Sequence, residues 1–177
     1  MKTQLAISMS VLALCACETV DKYNPFQASA KAQANLASTK GNTATGTVQF
    51  AQSGEKVTVS GKITNLTPGK HGFHVHEKGD CSSGDGMSAG GHFNPGNKPH
   101  GAPDGEERHG GDLGNITADE SGVAKFSIET SAITVEPGPN SILGKGVIVH
   151  KDPDDLKSQP AGNAGPRVAC GVVAATS

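Results

Sequence analysis

From Lys56 to Ile63 the chain alternates strictly, with Val57, Val59, Gly61 and Ile63 on one parity and Lys56, Thr58, Ser60 and Lys62 on the other. A period of two is met by an extended strand with one face buried and one in water, whereas a helix would scatter those apolar positions around its axis. Val48 and Phe50 alternate in the same way with Thr47 and Gln49, and Gln52-Ser53-Gly54-Glu55 reads as the hairpin turn between the two strands. Further short strands are predicted at Gly72 to Glu77, Asp112 to Thr117, Ala124 to Glu129, Gly146 to His150 and Arg167 to Ala174. Ala32, Ala34 and Leu36 also alternate, but alanine suits a helix too, so this first element stays open between strand and helix.

The chain has 24 glycines and no tryptophan, so its core has to be built from Val, Ile, Leu and a few Phe joined by many turns. Short strands with regular turn signals imply an all-β sandwich or flattened barrel, and 177 residues suffice for one such domain. Residues 78–111 are rich in glycine and show no sustained period. A loop of that length inside a compact domain needs another source of order, which metal coordination and a disulfide can supply. A second polar loop runs from Lys151 to Pro166. The formal net charge of -2 argues against a general nucleic-acid binder, which carries a marked basic excess.

Lys2 followed by an apolar run from Leu5 to Ala16 reads as a secretory signal peptide over residues 1–16, too short to span a bilayer as a mature helix. Leu14-Cys15-Ala16-Cys17 resembles a bacterial lipobox, which makes Cys17 the expected lipidation site and residues 17–30 a flexible tether to a domain at 31–177. The expected location is the cell envelope, in the periplasm and anchored to a membrane. Cys81 and Cys170 are then the two thiols left in the folded domain, and an exported domain with two thiols is expected to hold one disulfide. Closing a loop of roughly 90 residues stabilises by about 4 to 5 kcal/mol in the chain-entropy account.

All seven histidines, His71, His74, His76, His92, His100, His109 and His150, fall between residues 71 and 150. Imidazole is the commonest side-chain metal ligand, and this concentration beside Asp112 and Asp154 is far from a random scatter. On a strand His74 and His76 share one face. His71 has the other parity and is read as a buried residue or a support for a ligand. The loop carries a His-x7-His-x8-His-x2-Asp series at His92, His100, His109 and Asp112. Three imidazoles and a carboxylate fill a tetrahedral zinc site without an open water position, which fits a structural ion. The His-Glu-x-x-His signature is absent, so a metal hydrolase is a weak reading. His74, His76, His150 and one shared loop histidine leave an all-nitrogen site suited to copper.

The segments Gly72 to Glu77 (GFHVHE), Gly90 to Pro95 (GGHFNP), Glu106 to Asn115 (EERHGGDLGN), Val147 to Leu156 (VIVHKDPDDL) and Gly162 to Val173 (GNAGPRVACGVV) resemble those of copper/zinc superoxide dismutases, in that family's order. The resemblance covers about residues 31–175. That family is a known example of β-sandwich architecture and of electrostatic steering of a charged substrate. The resemblance implies a Greek-key β-sandwich or flattened barrel of about eight antiparallel strands with two long functional loops. It also implies dismutation of superoxide to dioxygen and hydrogen peroxide, with one copper and one zinc ion per subunit.

Residue by residue, the resemblance implies copper ligands at His74, His76, His92 and His150, and zinc ligands at His92, His100, His109 and Asp112. His92 then bridges the two ions and carries a proton. Asp154 is implied to orient His74 and His100, Arg167 to attract and orient the anion, and Cys81 to pair with Cys170. Read alone, Asp154 would be a solvated loop carboxylate and Arg167 a surface cation. The loop at 79–91 is longer, and the stretch 157–161 shorter, than in many animal members, as in bacterial exported ones. Both a homodimer and a monomer stay open. The alternative from another class is an envelope lipoprotein that binds copper or zinc for storage or delivery. Arg167 and the absence of soft thiolate or thioether ligands among the candidates favour the enzyme over the carrier.

Overall fold

The structure, a computed structural model, describes residues 30–176. The expected signal peptide, Cys17 and the tether up to residue 29 lie outside the described residues. The strands are β1 (Lys31–Ser38), β2 (Thr45–Ser53), β3 (Lys56–Thr64), β4 (Gly69–His76), β5 (Asp112–Ala118), β6 (Ala124–Thr130), β7 (Gly146–His150) and β8 (Arg167–Thr176). They form a closed antiparallel barrel in the order β1-β2-β3-β6-β5-β4-β7-β8, with β8 returning to pair with β1. The chain crosses over from β3 to β4 and from β6 to β7, so the expected Greek-key arrangement is present.

The interior follows from strand parity. Val57, Val59 and Ile63 of β3 are buried with Val48 and Phe50 of β2, Phe73 and Val75 of β4, and Val147 and Val149 of β7. The ambiguous first element is a strand, because Ala32 and Ala34 stand opposite Phe50 and Val48, where a small side chain accommodates a large neighbour. The hairpin turn is tighter than the sequence suggests. Ser53 still pairs with Lys56, which leaves Gly54 (φ 59°) and Glu55 at the corner. Gln52 is a buried strand residue whose Oε1 accepts from the amides of Val135 (2.7 Å) and Glu136 (3.1 Å). That anchors the segment between β6 and β7, which sends Ile133, Val135 and Ile142 into the core despite having no periodic pattern.

Alternate residues of β4 and β7 face outward beneath the two long loops. Ile148 packs there with Ala89, Cys170 and Cys81 in a second apolar cluster, and Cys81 and Cys170 form a disulfide with a Cα–Cα distance of 5.9 Å. The first loop is threaded onto β4 by Phe93 N–H to Val75 O (2.8 Å), Val75 N–H to Gly111 O (3.0 Å) and Gly111 N–H to Phe93 O (2.8 Å). His92 is thereby laid beside His76 in a short antiparallel bridge. Main-chain pairing and a covalent bond supply the order that the loop's sequence lacks.

Candidate metal centre

The outward parity of β4 places His74 and His76 together, β7 ends on His150, and the threaded loop brings His92 over them. These four side chains are buried, and their candidate ligand atoms lie within 4.8 Å of one another. His92, His100, His109 and Asp112 form a second buried group within the same limit. Donors on opposite sides of one ion are about 4 Å apart when each bond is about 2 Å, so both groups have the spread of a coordination shell. His92 belongs to both groups, and its ring centroid lies 4.0 Å from that of His74 and 5.3 Å from those of His100 and His109.

One nitrogen of each copper-side ring is fixed by an acceptor. His74 Nε2 donates to Asp154 Oδ2 (2.7 Å), His76 Nδ1 to Gly90 O (2.9 Å) and His150 Nδ1 to Gly165 O (3.0 Å). The other nitrogen then carries a lone pair that faces the cluster. Burial pushes the imidazole of His74 down to about 4, against the opposing pull of its Asp154 bond, and that of His150 down to about 3. Burial, followed by the charges of His92 and Arg167, also holds His76 well below its ordinary value. Neutral imidazole is the form that binds a metal.

On the other side the donors converge on Asp112. Its Oδ2 accepts the amides of His109 (2.8 Å) and Gly101 (3.1 Å), which leaves Oδ1 turned toward His92 Nδ1 (2.7 Å), His100 Nδ1 (3.0 Å) and His109 Nδ1 (3.2 Å). Burial acts to raise the Asp112 carboxyl, but the nearby His100 ring and the bond from His92 outweigh it and hold the group far below the usual carboxylate range. Burial likewise acts to lower His100, and the close Asp112 carboxylate together with the bond to Asp154 outweighs that and raises it to about 9.

Among the described residues, six buried ring nitrogens have no hydrogen-bond partner: Nδ1 of His74, His100 and His109, and Nε2 of His76, His92 and His150. The His100 and His109 nitrogens approach Asp112 Oδ1 closely without the alignment of a hydrogen bond. Leaving a buried polar atom unpaired costs about 1 to 3 kcal/mol, so six of them in two clusters are an improbable feature of a purely structural interior. Two metal ions would satisfy all six. A four-nitrogen set suits copper, and a set of three imidazoles with one carboxylate suits zinc.

The family model for copper/zinc superoxide dismutase matches residues 44–173. The chain belongs to the copper/zinc superoxide dismutase family. It is an oxidoreductase acting on superoxide, and its two histidine clusters offer the donors for the family's copper and zinc. The fold is similar to the crystal structure of the clock protein EA4, with 42% sequence identity, a TM-score of 0.77 and coverage of 87% of this chain and 99% of that one.

Every metal-ligand candidate of the sequence lies in one of the two groups, and His71 lies in neither. Its ring nitrogens lie 2.9 Å from His150 O and 2.8 Å from Thr67 O, so it braces the end of β7 through the backbone. Arg167 is half-buried and donates from Nη1 to Gly86 O and from Nη2 to Gly90 O, both at 2.6 Å. Gly90 O is therefore shared by Arg167 and His76.

Three supports of the site were not assigned from sequence. Asn115 grips Asp154 twice, donating from Nδ2 to its carbonyl (2.9 Å) and accepting its amide at Oδ1 (2.8 Å). Gln159 does the same for His100, at 2.8 Å in each direction. Gly162 has φ +65°, and a Cβ there would collide with the Asp154 carboxylate and His100 Nε2. Asn115 and Gly162 sit inside quoted motifs, whereas nothing in the local pattern distinguishes Gln159.

Proposed function

We propose that this superoxide dismutase is exported and held at a membrane through lipidated Cys17, and that it consumes superoxide in the periplasm to protect the cell envelope. The apolar run before Cys17 and the polar stretch after it support that location. His74, His76, His92 and His150 hold copper, while His92, His100, His109 and Asp112 hold zinc. The observation that carries the reading is the placement of Arg167, which lines the same depression of about 250 Å³ as His150.

Bound copper supplies one-electron redox cycling, by which two superoxide anions and two protons become one dioxygen and one hydrogen peroxide. The protein's residues do the rest. Arg167 attracts the anion, and its planar fork, fixed by Gly86 and Gly90, orients a small oxyanion better than a lysine could. His92 holds a proton at Nε2 between half-reactions and passes it to the reduced substrate. Asp154 keeps His74 and His100 in register, so that one carboxylate serves both clusters.

Arg167→Ala tests the reading against a storage or delivery role. Turnover measured by pulse radiolysis should fall at least about tenfold, equivalent to about 1.4 kcal/mol, while copper content stays near that of the wild type. Equal losses of both would make Arg167 a prop for the loop, and a copper-replete wild type with background activity would favour the carrier. Cys17→Ser should move the protein from the membrane fraction to the soluble one and abolish fatty-acid labelling. Unchanged fractionation would refute the anchor.

A further inference from the structure

The copper-side histidines are shielded, with His74 at 0%, His76 at 1%, His92 at 7% and His150 at 5% exposure. Of the four, His150 lines a surface depression that it shares with Arg167 and Met87. Met87 is 60% exposed, although methionine is an apolar side chain that ordinarily fills gaps in a core. Its backbone is well fixed on a 3-10 turn, Met87–Ala89, with its amide donating to Asp85 Oδ1 (2.9 Å) and its carbonyl accepting from Gly90 (3.0 Å). The preceding residue, Gly86, takes one of the two Arg167 hydrogen bonds (2.6 Å). The turn is held firmly while the thioether projects to solvent at the rim.

We infer that the Met87 thioether is a transient docking ligand for cuprous ion, which receives the metal at the mouth before the buried histidines take it. This rests on the proposed assignment of copper to His74, His76, His92 and His150. A thioether is a soft, uncharged donor that selects Cu(I) over Zn(II) and Cu(II). The Arg167 guanidinium at the same mouth repels any bare cation, so a rim donor that binds one oxidation state offsets a barrier that all ions otherwise share. The second element of the path is His150, whose buried Nε2 has no hydrogen-bond partner and which lines the same depression. Met87 and His150 together make a soft outer donor followed by a harder inner one, a gradient that moves copper inward and gives zinc no comparable help.

The test uses the full chain, zinc-loaded and copper-free, mixed anaerobically with Cu(I) held by a coloured chelator. Loss of the chelate absorbance reports uptake, and metal analysis reports the end point. Met87→Leu keeps size and apolarity and removes the sulfur. It should slow Cu(I) uptake several-fold, leave the final copper content unchanged, and leave the rate of Cu(II) uptake equal to that of the wild type. Equal Cu(I) rates in the two proteins would overturn the inference while leaving the copper assignment standing. Equal slowing for Cu(I) and Cu(II) would also overturn it, since a disturbed turn would obstruct both ions alike. A wild type that acquires no copper would sink the assignment itself.

Discussion

The carboxylate of Asp154 holds Oδ2 at 2.7 Å from Nε2 of His74, in a pair wholly shielded from water. Its other oxygen lies 3.0 Å from Nε2 of His100. His74 belongs to the four-histidine group and His100 to the group with Asp112, so one side chain orients a donor in each. His92 links the groups directly, and Asp154 links them from behind. The two clusters therefore behave as one mechanical unit, with the second long loop supplying the connection.

Asp154→Asn should weaken both sites together. A carboxamide of the same shape can accept from one histidine, but it presents an NH2 group to the other, so one ring loses its orienting bond. Removal of such an outer partner weakens metal affinity by about 10- to 100-fold. Competition titrations with chelators should show losses for zinc and for copper. A loss confined to one ion would mean that the two histidines are oriented independently.

Gly162→Ala should act on the same carboxylate from the outside. The position has φ +65°, and the added Cβ meets Asp154 and His100 Nε2 at once. Left-handed backbone for a residue with a side chain costs of order 1 kcal/mol or more, and the collision must displace Asp154 or distort the loop. Thermal unfolding of the metal-free protein should show destabilisation of about 1 to 3 kcal/mol, with zinc affinity reduced in parallel. Destabilisation with unchanged zinc affinity would separate the loop conformation from the site.

The parts of this arrangement that repeat along the chain were legible before the structure. Alternation in β3 and the His-x-His pair of β4 each specify a face, because a strand turns every second residue the same way. The seven candidate ligands were legible too, since chemistry restricts them to histidine and carboxylate at suitable spacings. Apart from Asp154, which the family resemblance implied, what holds those ligands was not. Gln159 reaches the backbone of His100 from the other loop, and Ile133 enters the core from a segment without strand periodicity. Such contacts depend on where two distant loops meet, which local pattern does not encode. Ala32 and Ala34 were ambiguous for a related reason: their strand state depends on Phe50 and Val48 across the ladder rather than on their own propensity.

The metal-free protein should be most stable near neutral pH and lose stability on both sides. In the fold, burial holds His74 at about 4, His150 at about 3 and His76 well below the ordinary 6.5. As pH falls from about 6.5 toward 4, the unfolded chain binds protons that these folded rings refuse, so stability falls by up to about 1.4 kcal/mol per pH unit for each ring. His100 has the opposite sign. Its folded value is raised to about 9 because the adjacent Asp112 carboxylate and the bond to Asp154 outweigh burial, so its contribution is complete below 6.5 and disappears as pH rises through 9. Urea midpoints in the presence of a chelator should trace both limbs, and a flat profile from pH 4 to pH 9 would refute the electrostatic account. Zinc should remove the alkaline limb, because a ring whose Nδ1 is committed to the ion no longer gains stability from a proton there.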